Sequence, residues 1–250
     1  MSQLLKGKTA IITGSSRGIG RAIAQTFAEN GADLVIHGTR KSALEELQYQ
    51  ILKSGVRCEY IAGDIGDYTT AQRLTEICLQ TYGKIDILVN NAGINSRYSF
   101  TDLPLEEWDN MLRINLTGVF YACKCVVPSM LERKSGCIIN MSSSAGKTAH
   151  PNASICYGVS KAGINSLTQK LAYDLAPSGI RVNAVCPGPI ETDMSLQWTP
   201  EYREKALSAI PLRRLGKGLD VANVALFLAS DLSDFIVGES INVNGGKYMN

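Results

Sequence analysis

Histidine is almost missing from this chain: only His37 and His150 occur in 250 residues. Charge-relay hydrolysis and most transition-metal centres draw on imidazole, so two isolated histidines leave little room for either. The seven cysteines, at 58, 78, 123, 125, 137, 156 and 186, are odd in number and contain no C-x-x-C pair. Neither a zinc site nor a disulfide framework can be read from them, and they are expected to pack as small buried hydrophobes. Neither sign of charge dominates. With 25 basic and 23 acidic residues the net charge is +2, too little to draw in nucleic acid or an anionic membrane surface. The opening Met1-Ser2-Gln3-Leu4-Leu5-Lys6 shows no signal-peptide pattern, and no apolar run looks long enough to span a bilayer. The expectation is a reduced, cytoplasmic setting with neither nucleic acid nor membrane as partner. What is present is a 45% hydrophobic, 19% charged composition with enough apolar material for a sizeable core.

Short β-branched runs at 9–13, 34–37, 57–62, 85–90, 137–141, 180–186 and 240–243 predict seven strands. Between them apolar residues recur at three- and four-residue spacing, as in Ala22, Ile23, Phe27, Ala28 or Leu44, Leu47, Ile51, Leu52, which predicts amphipathic helices. Strand and helix in strict alternation require right-handed crossovers and a parallel sheet covered on both faces. The expected fold is a single α/β domain over 1–250, a Rossmann-type doubly wound sheet.

The first predicted strand runs into Thr13-Gly14-Ser15-Ser16-Arg17-Gly18-Ile19-Gly20 and then into a helix. Glycines let the backbone turn tightly and approach a pyrophosphate, and the helix N-terminus offers free N–H groups and a positive dipole end. The spacing is G-x-x-x-G-x-G rather than G-x-G-x-x-G, and a ligand-free tight turn is the competing reading. The same stretch satisfies G-x-S-x-G, which would make Ser16 a hydrolase nucleophile, but neither histidine lies in the late position that such folds use. A P-loop fails at Gly146-Lys147-Thr148, where Met141 stands in place of the leading glycine.

Tyr157 and Lys161 are four residues apart near the start of a predicted helix over 156–176, so their side chains share a face. A phenol of pKa about 10 is a poor acid or base near neutrality, and a nearby ammonium lowers it. Such a tyrosine can exchange a proton with an alkoxide while a hydride moves. A solvated surface pair is the bland alternative.

Together, residues 13–20, Asn90-Asn91-Ala92-Gly93, Asn115 in Arg-Ile-Asn-Leu, Ser143 in Asn-Met-Ser-Ser, Tyr157 to Lys161 and Pro187-Gly188 resemble the short-chain dehydrogenase/reductase family over essentially the whole chain. The resemblance implies an NAD(P)-dependent oxidoreductase acting on a small carbonyl or alcohol substrate. It implies a catalytic tetrad in which Ser143 binds the substrate oxygen and Tyr157 exchanges the proton. Lys161 would hold the nicotinamide ribose and lower the tyrosine pKa, and Asn115 would hold a relay water. Ser144 rivals Ser143, because the loop to Tyr157 is one residue longer than usual. The cofactor set it implies is Gly14, Ser16, Arg17, Gly18, Ile19 and Gly20 for the phosphates, Asp64 and Ile65 for adenine, and Asn91, Ala92 and Gly93 for the adenosine side. Pro187, Gly188, Ile190 and Thr192 would serve the nicotinamide end, together with Tyr157 and Lys161.

Where NAD-preferring relatives place an aspartate after the second strand, this chain reads Gly38-Thr39-Arg40-Lys41. Arg17 and Arg40 suit a 2′-phosphate, so NADP(H) is expected over NAD(H). Met194, Leu196, Trp198 and Tyr202 suggest a substrate lid over 192–212. The ending Asn244-Gly245-Gly246-Lys247-Tyr248-Met249 is similar to 3-oxoacyl-carrier-protein reductases, whereas Gly93-Ile94-Asn95-Ser96-Arg97-Tyr98 is similar to members acting on sugar acids and polyols. Relatives that have lost the redox chemistry offer a non-catalytic alternative, although both Tyr157 and Lys161 are present here. The family implies a homotetramer, with helices 106–133 and 156–176 as its interface.

Overall fold

A computed structural model describes residues 3–150, 153–191 and 199–249, with only the backbone of Tyr202. Seven parallel strands form one sheet in the order β3-β2-β1-β4-β5-β6-β7. They are β1 Thr9–Ile12, β2 Asp33–Gly38, β3 Cys58–Ala62, β4 Ile87–Asn90, β5 Gly136–Met141, β6 Ile180–Pro187 and β7 Ser240–Val243. The helices are α1 Gly18–Glu29, α2 Lys41–Leu52, α3 Tyr68–Tyr82, α4 Leu105–Leu112, α5 Gly118–Arg133, α6 Ile155–Leu175, α7 Pro200–Ser208 and α8 Gly218–Ala229. All seven expected strands are present. Their ends shift by a residue or two; the fourth begins at Ile87, after Asp86, whose N–H is bonded to the Thr9 carbonyl.

Alternation along the strands builds two cores. Ala10 and Ile12 of β1 join Cys137, Ile139 and Met141 of β5 on one face, beneath Ile23 and Phe27 of α1, Leu44 and Leu47 of α2, and Val221 and Leu228 of α8. Ile11 and Ile138 point the other way, into Leu74 of α3, Val126 and Met130 of α5, and Ile164 of α6. Burial on both faces is why these strands read as nearly continuous apolar runs. Each fully buried Ile, Leu or Phe side chain contributes about 1.5–3 kcal/mol.

The expected helix over 106–133 is not uniform. A π turn at Arg113–Thr117 separates α4 from α5, and Asn115 lies inside it. The whole stretch Leu105–Arg133 spans 29 residues with a mean hydropathy of 1.3 over its most apolar window, long and apolar enough by length and composition to cross a membrane. This corrects the expectation that no such run exists. In this fold its apolar face is spent on the sheet, through Val119, Val126 and Met130. The outward faces of α5 and α6 keep Phe120, Leu131, Ile155, Val159 and Tyr173 exposed. All seven cysteines are free thiols, and six of them are buried.

At the N-terminal edge of the sheet the Asp86 carboxylate accepts the Thr9 N–H at 2.8 Å, Arg133 of α5 at 2.5 Å and Lys84 at 2.9 Å. One buried carboxylate thus joins β1, β4 and α5. Removing it strands a guanidinium and a backbone donor, so Asp86→Ala should lower unfolding free energy by about 2–4 kcal/mol. A urea midpoint unchanged from wild type would contradict that role.

Candidate active site

The chain reverses its direction of sheet growth between β1 and β4, which opens a crevice at the carboxyl ends of the strands. There the turn after β1 meets the turn after β4. Thr13 Oγ1 accepts the N–H groups of Asn91 and Ala92, both at 3.0 Å, and Asn91 Nδ2 donates to the carbonyls of Thr13 and Gly14, also at 3.0 Å. No side chain fits in this crossing. A Cβ on Gly14, whose φ is +68°, would lie 2.7 Å from Ala92 Cα, and one on Gly20 would lie 2.2 Å from the Gly14 carbonyl oxygen.

Helix α1 begins at Gly18 without any side chain capping its first amides. Those donors and the positive end of the helix dipole are left for an anion. Beside them lies a cleft of about 390 Å³. Gly14, Ser16, Arg17, Ile19 and Gly20 form one wall, Asp64 and Ile65 a second, and Asn91, Ala92, Gly93 and Ile190 a third. A glycine cradle in which a Cβ would collide, next to an uncapped helix start, fits the diphosphate of a dinucleotide.

Several expected residues stand outside these walls. Gly18 opens α1, and Pro187 ends β6. Gly188 is pressed against Asn244, 2.6 Å from where its Cβ would be. Arg40 stands at the residue before α2 without capping it, while Gly38 and Thr39 line the cleft. Both Arg17 and Arg40 are solvent-exposed, without an ion pair among the described residues. Thr192 and the lid residues Met194, Leu196 and Trp198 lie outside the described residues, as does the Tyr202 side chain. His37, Ile94, Ile114, Glu191 and Gly218 also line the cleft and carry no motif signal in the sequence.

Asp64 is oriented from a distance. Burial pushes its carboxyl up, but the Arg113 hydrogen bond at 2.7 Å, the Gly66 N–H at 2.8 Å and the Arg113 charge outweigh it and hold the group below the usual range. Arg113 opens the π turn that carries Asn115, so the second wall of the cleft is tied to that turn.

The four residues expected to be catalytic lie together beside Gly93, at one end of the cleft. Asn115 is fully buried; its Nδ2 donates to the Ile94 carbonyl at 2.9 Å and Ser160 Oγ at 3.2 Å, and its Oδ1 accepts the Ile94 N–H at 2.8 Å. Lys161 Nζ donates to the Met141 carbonyl at 2.7 Å and stands 5.7 Å from the centre of the Tyr157 ring. A Cβ on Gly93 would fall 3.2 Å from Asn115 Oδ1 and 3.6 Å from Lys161 Nζ, so this glycine lets the cleft wall lie against both. Of three consecutive serines, Ser143 is the one whose hydroxyl acts on the Tyr157 phenol, drawing its pKa down. Ser142 Oγ instead donates to the Lys161 carbonyl at 3.0 Å, and Ser144 is buried at the start of a short 3₁₀ turn.

The expectation that Lys161 lowers the tyrosine pKa is not met in this arrangement. Burial lifts the Tyr157 phenol above its ordinary value, the Ser143 hydrogen bond opposes that rise, and Cys186 adds to it. The ammonium is turned to the Met141 carbonyl and adds no lowering effect on the phenol. Lys161 itself is pushed down to about 8 by burial. The hydrolase reading fails on geometry: the two ring nitrogens of His37 face the Gly14 N–H and the Gly63 carbonyl, not Ser16.

Residues 14–247 match the family described as enoyl-(acyl carrier protein) reductase. Oxidoreductase UcpA of Salmonella typhimurium is 41% identical, over 97% of this chain and 95% of that protein. A 3-oxoacyl-[acyl-carrier-protein] reductase of Staphylococcus aureus is 40% identical over 97% of this chain and 98% of its own length. A crystal structure of the 3-oxoacyl-[acyl-carrier protein] reductase of Brucella melitensis superposes with a TM-score of 0.93 at 36% identity, covering 100% of this chain and 94% of that one. A second structure from that organism, with bound NAD, gives 0.92 at 36% identity, again over 100% of this chain and 94% of that one. Fold and site thus define an oxidoreductase that works on a carbonyl or alcohol carbon with a nicotinamide cofactor. The chain belongs to the short-chain dehydrogenase/reductase family.

The position of Lys161 has a consequence for stability. Below about pH 8 folded and unfolded chains both hold its proton, and the folded state bears the cost of a buried ammonium. Between about 8 and the ordinary 10.5 only the unfolded chain holds it, so this contribution to stability rises with pH. Denaturation of wild type and Lys161→Met should therefore show a difference that moves towards the wild type by on the order of 3 kcal/mol from neutral to strongly alkaline pH. A difference independent of pH would contradict it.

Proposed function

We propose that this protein reduces 3-oxoacyl thioesters, carried on acyl carrier protein or coenzyme A, to 3-hydroxyacyl thioesters with NADPH. The observation that carries the reading is the gathering of Ser143, a half-buried Tyr157, Lys161 and Asn115 against Gly93 at one end of the glycine-lined cleft. Relatives named as 3-oxoacyl reductases at about 40% identity support the substrate class.

When bound, the nicotinamide supplies the hydride. The amides of residues 14–20 hold the diphosphate, Arg17 and Arg40 meet the 2′-phosphate, Asp64 and Ile65 bind adenine, and Asn91 to Gly93 flank the adenosine side. Ile190, and Thr192 beyond the described residues, serve the carboxamide. Ser143 donates a hydrogen bond to the substrate carbonyl oxygen and aligns it with Tyr157. The Tyr157 hydroxyl gives its proton to that oxygen as negative charge develops there, and its burial keeps the proton in place beforehand. Lys161, anchored on the Met141 carbonyl, binds the ribose. Asn115 has spent both amide hydrogens, which leaves one Oδ1 lone pair for a relay water. The exposed apolar side chains of α5 and α6 suit a homotetramer, which sedimentation would show.

Assays of acetoacetyl thioesters, keto sugar acids and simple diketones with NADPH and NADH test the reading. Turnover of the thioesters supports it, and turnover confined to keto sugar acids overturns the substrate class. Tyr157→Phe should lower kcat by about 10³-fold or more, with NADPH affinity by calorimetry changed less than about threefold. Arg40→Asp removes a phosphate partner and adds a repelling carboxylate, so the NADPH to NADH ratio of kcat/KM should fall by about tenfold or more. An unchanged ratio would leave Arg17 as the sole phosphate ligand.

A further inference from the structure

His37 is one of two histidines in the chain, it is buried at the end of β2, and no step described above uses it. Its ring bridges two segments that form the cleft. Nδ1 accepts the Gly14 N–H at 3.3 Å, and Nε2 lies 3.1 Å from the Gly63 carbonyl oxygen at the end of β3. A carbonyl can only accept, so Nε2 carries the hydrogen and Nδ1 the lone pair, a neutral ring in one tautomer. The main chain of His37 adds a second link, its carbonyl accepting the Ser15 N–H at 2.7 Å. On the far side of the same turn Asn91 Nδ2 holds the Gly14 carbonyl at 3.0 Å. Gly14 is therefore gripped on both its N–H and its C=O, at a residue whose φ of +68° an L side chain would not keep.

We propose that His37 is a positioning residue for the cofactor: its neutral imidazole locks the Gly14 peptide, and with it the following run of amides, in the orientation that receives the diphosphate. The inference rests on the cleft being the dinucleotide site. It accounts for an imidazole at this point, because a ring spans the gap between two backbone groups with an acceptor at one end and a donor at the other. Asp64, beyond Gly63, is the charged group whose field reaches the ring from the neighbouring loop; the turn residues Gly14 and Ser15 bring none. Burial holds the imidazole proton affinity down to about 4, so the acceptor on Nδ1 persists across the neutral range. Protonation there would set two donors face to face and release the turn.

Two isosteric replacements separate the ring ends. The Asn side chain puts an amide oxygen near Nδ1, whereas Gln reaches to the place of Nε2 and leaves Gly14 without its acceptor. With NADP⁺ as the calorimetric probe at neutral pH, His37→Asn should bind within about threefold of wild type, and His37→Gln about tenfold or more weakly, the effect of one hydrogen bond to a fixed peptide. At saturating cofactor both should keep kcat within about twofold, since neither change touches the reacting atoms. Amide exchange of the cofactor-free protein should quicken at residues 14–20 in His37→Gln and not in His37→Asn. Equal affinities for two folded variants would overturn the proposal, as would exchange unchanged in both. If neither variant folds, the wild type decides it: the Gly14 amide resonance must titrate together with the His37 ring near pH 4, and an amide that ignores the ring rejects the clamp. Failure of the wild type to bind NADP⁺ or NAD⁺ at all would instead strike at the dinucleotide site itself.

Discussion

The crossing of two turns at the carboxyl end of the sheet, where Gly14 and Gly20 lie too close to Asn91 and Ala92 to carry a side chain, is the constraint on which the site depends. Backbone approach at that distance is stabilised by hydrogen bonds rather than by packing: Thr13 Oγ1 receives two amides and Asn91 Nδ2 serves two carbonyls. The crossing sets where α1 begins and hence where its free amides point. It also sets where the chain after β4 leaves the sheet, which brings Gly93 against Asn115 and Lys161. The glycine turn and the cluster of Asn115 and Lys161 are thus two sides of one junction.

Outer elements reinforce the junction without touching the reacting atoms. Arg113 ties the Asp64 wall to the π turn, and the π turn in turn aims Asn115 at the backbone of Ile94. The Met141 carbonyl at the end of β5 anchors the Lys161 ammonium, which is deep enough for burial to weaken its hold on the proton. Burial acts oppositely on Tyr157, keeping it protonated. Desolvation therefore prepares an acid at Tyr157 and a readily titrated cation at Lys161, and charge placed nearby decides how far each moves.

Most of the fold was legible in the sequence because its strands are buried on both faces. Runs such as Ile36-His37 or Ile138-Ile139 leave no doubt about strand, and the helices between them keep a clear apolar stripe. The glycine turn and the Tyr157 and Lys161 pair were legible for a different reason, since their chemistry depends on local spacing. What could not be read depends on contacts distant in the chain. The π turn at Asn115 has no composition of its own. The Arg113 to Asp64 link joins residues 49 apart. His37 carries no motif of its own, and only its burial between Gly14 and Gly63 shows what its ring can bridge. The lysine effect on Tyr157 was misjudged because spacing along a helix brings two side chains together without saying which atoms face.

Whether the cleft delivers hydride to a carbonyl held by Ser143 and Tyr157 is the central question for this protein. NADPH carrying deuterium on one face of the nicotinamide C4, incubated with the enzyme and acetoacetyl thioester, tests this directly by mass spectrometry and NMR of the product. A single fixed cofactor pose predicts deuterium on the carbinol carbon from one of the two labelled forms and none from the other. Transfer from both forms alike, or a reduced product whose carbinol hydrogen comes from solvent, would contradict it.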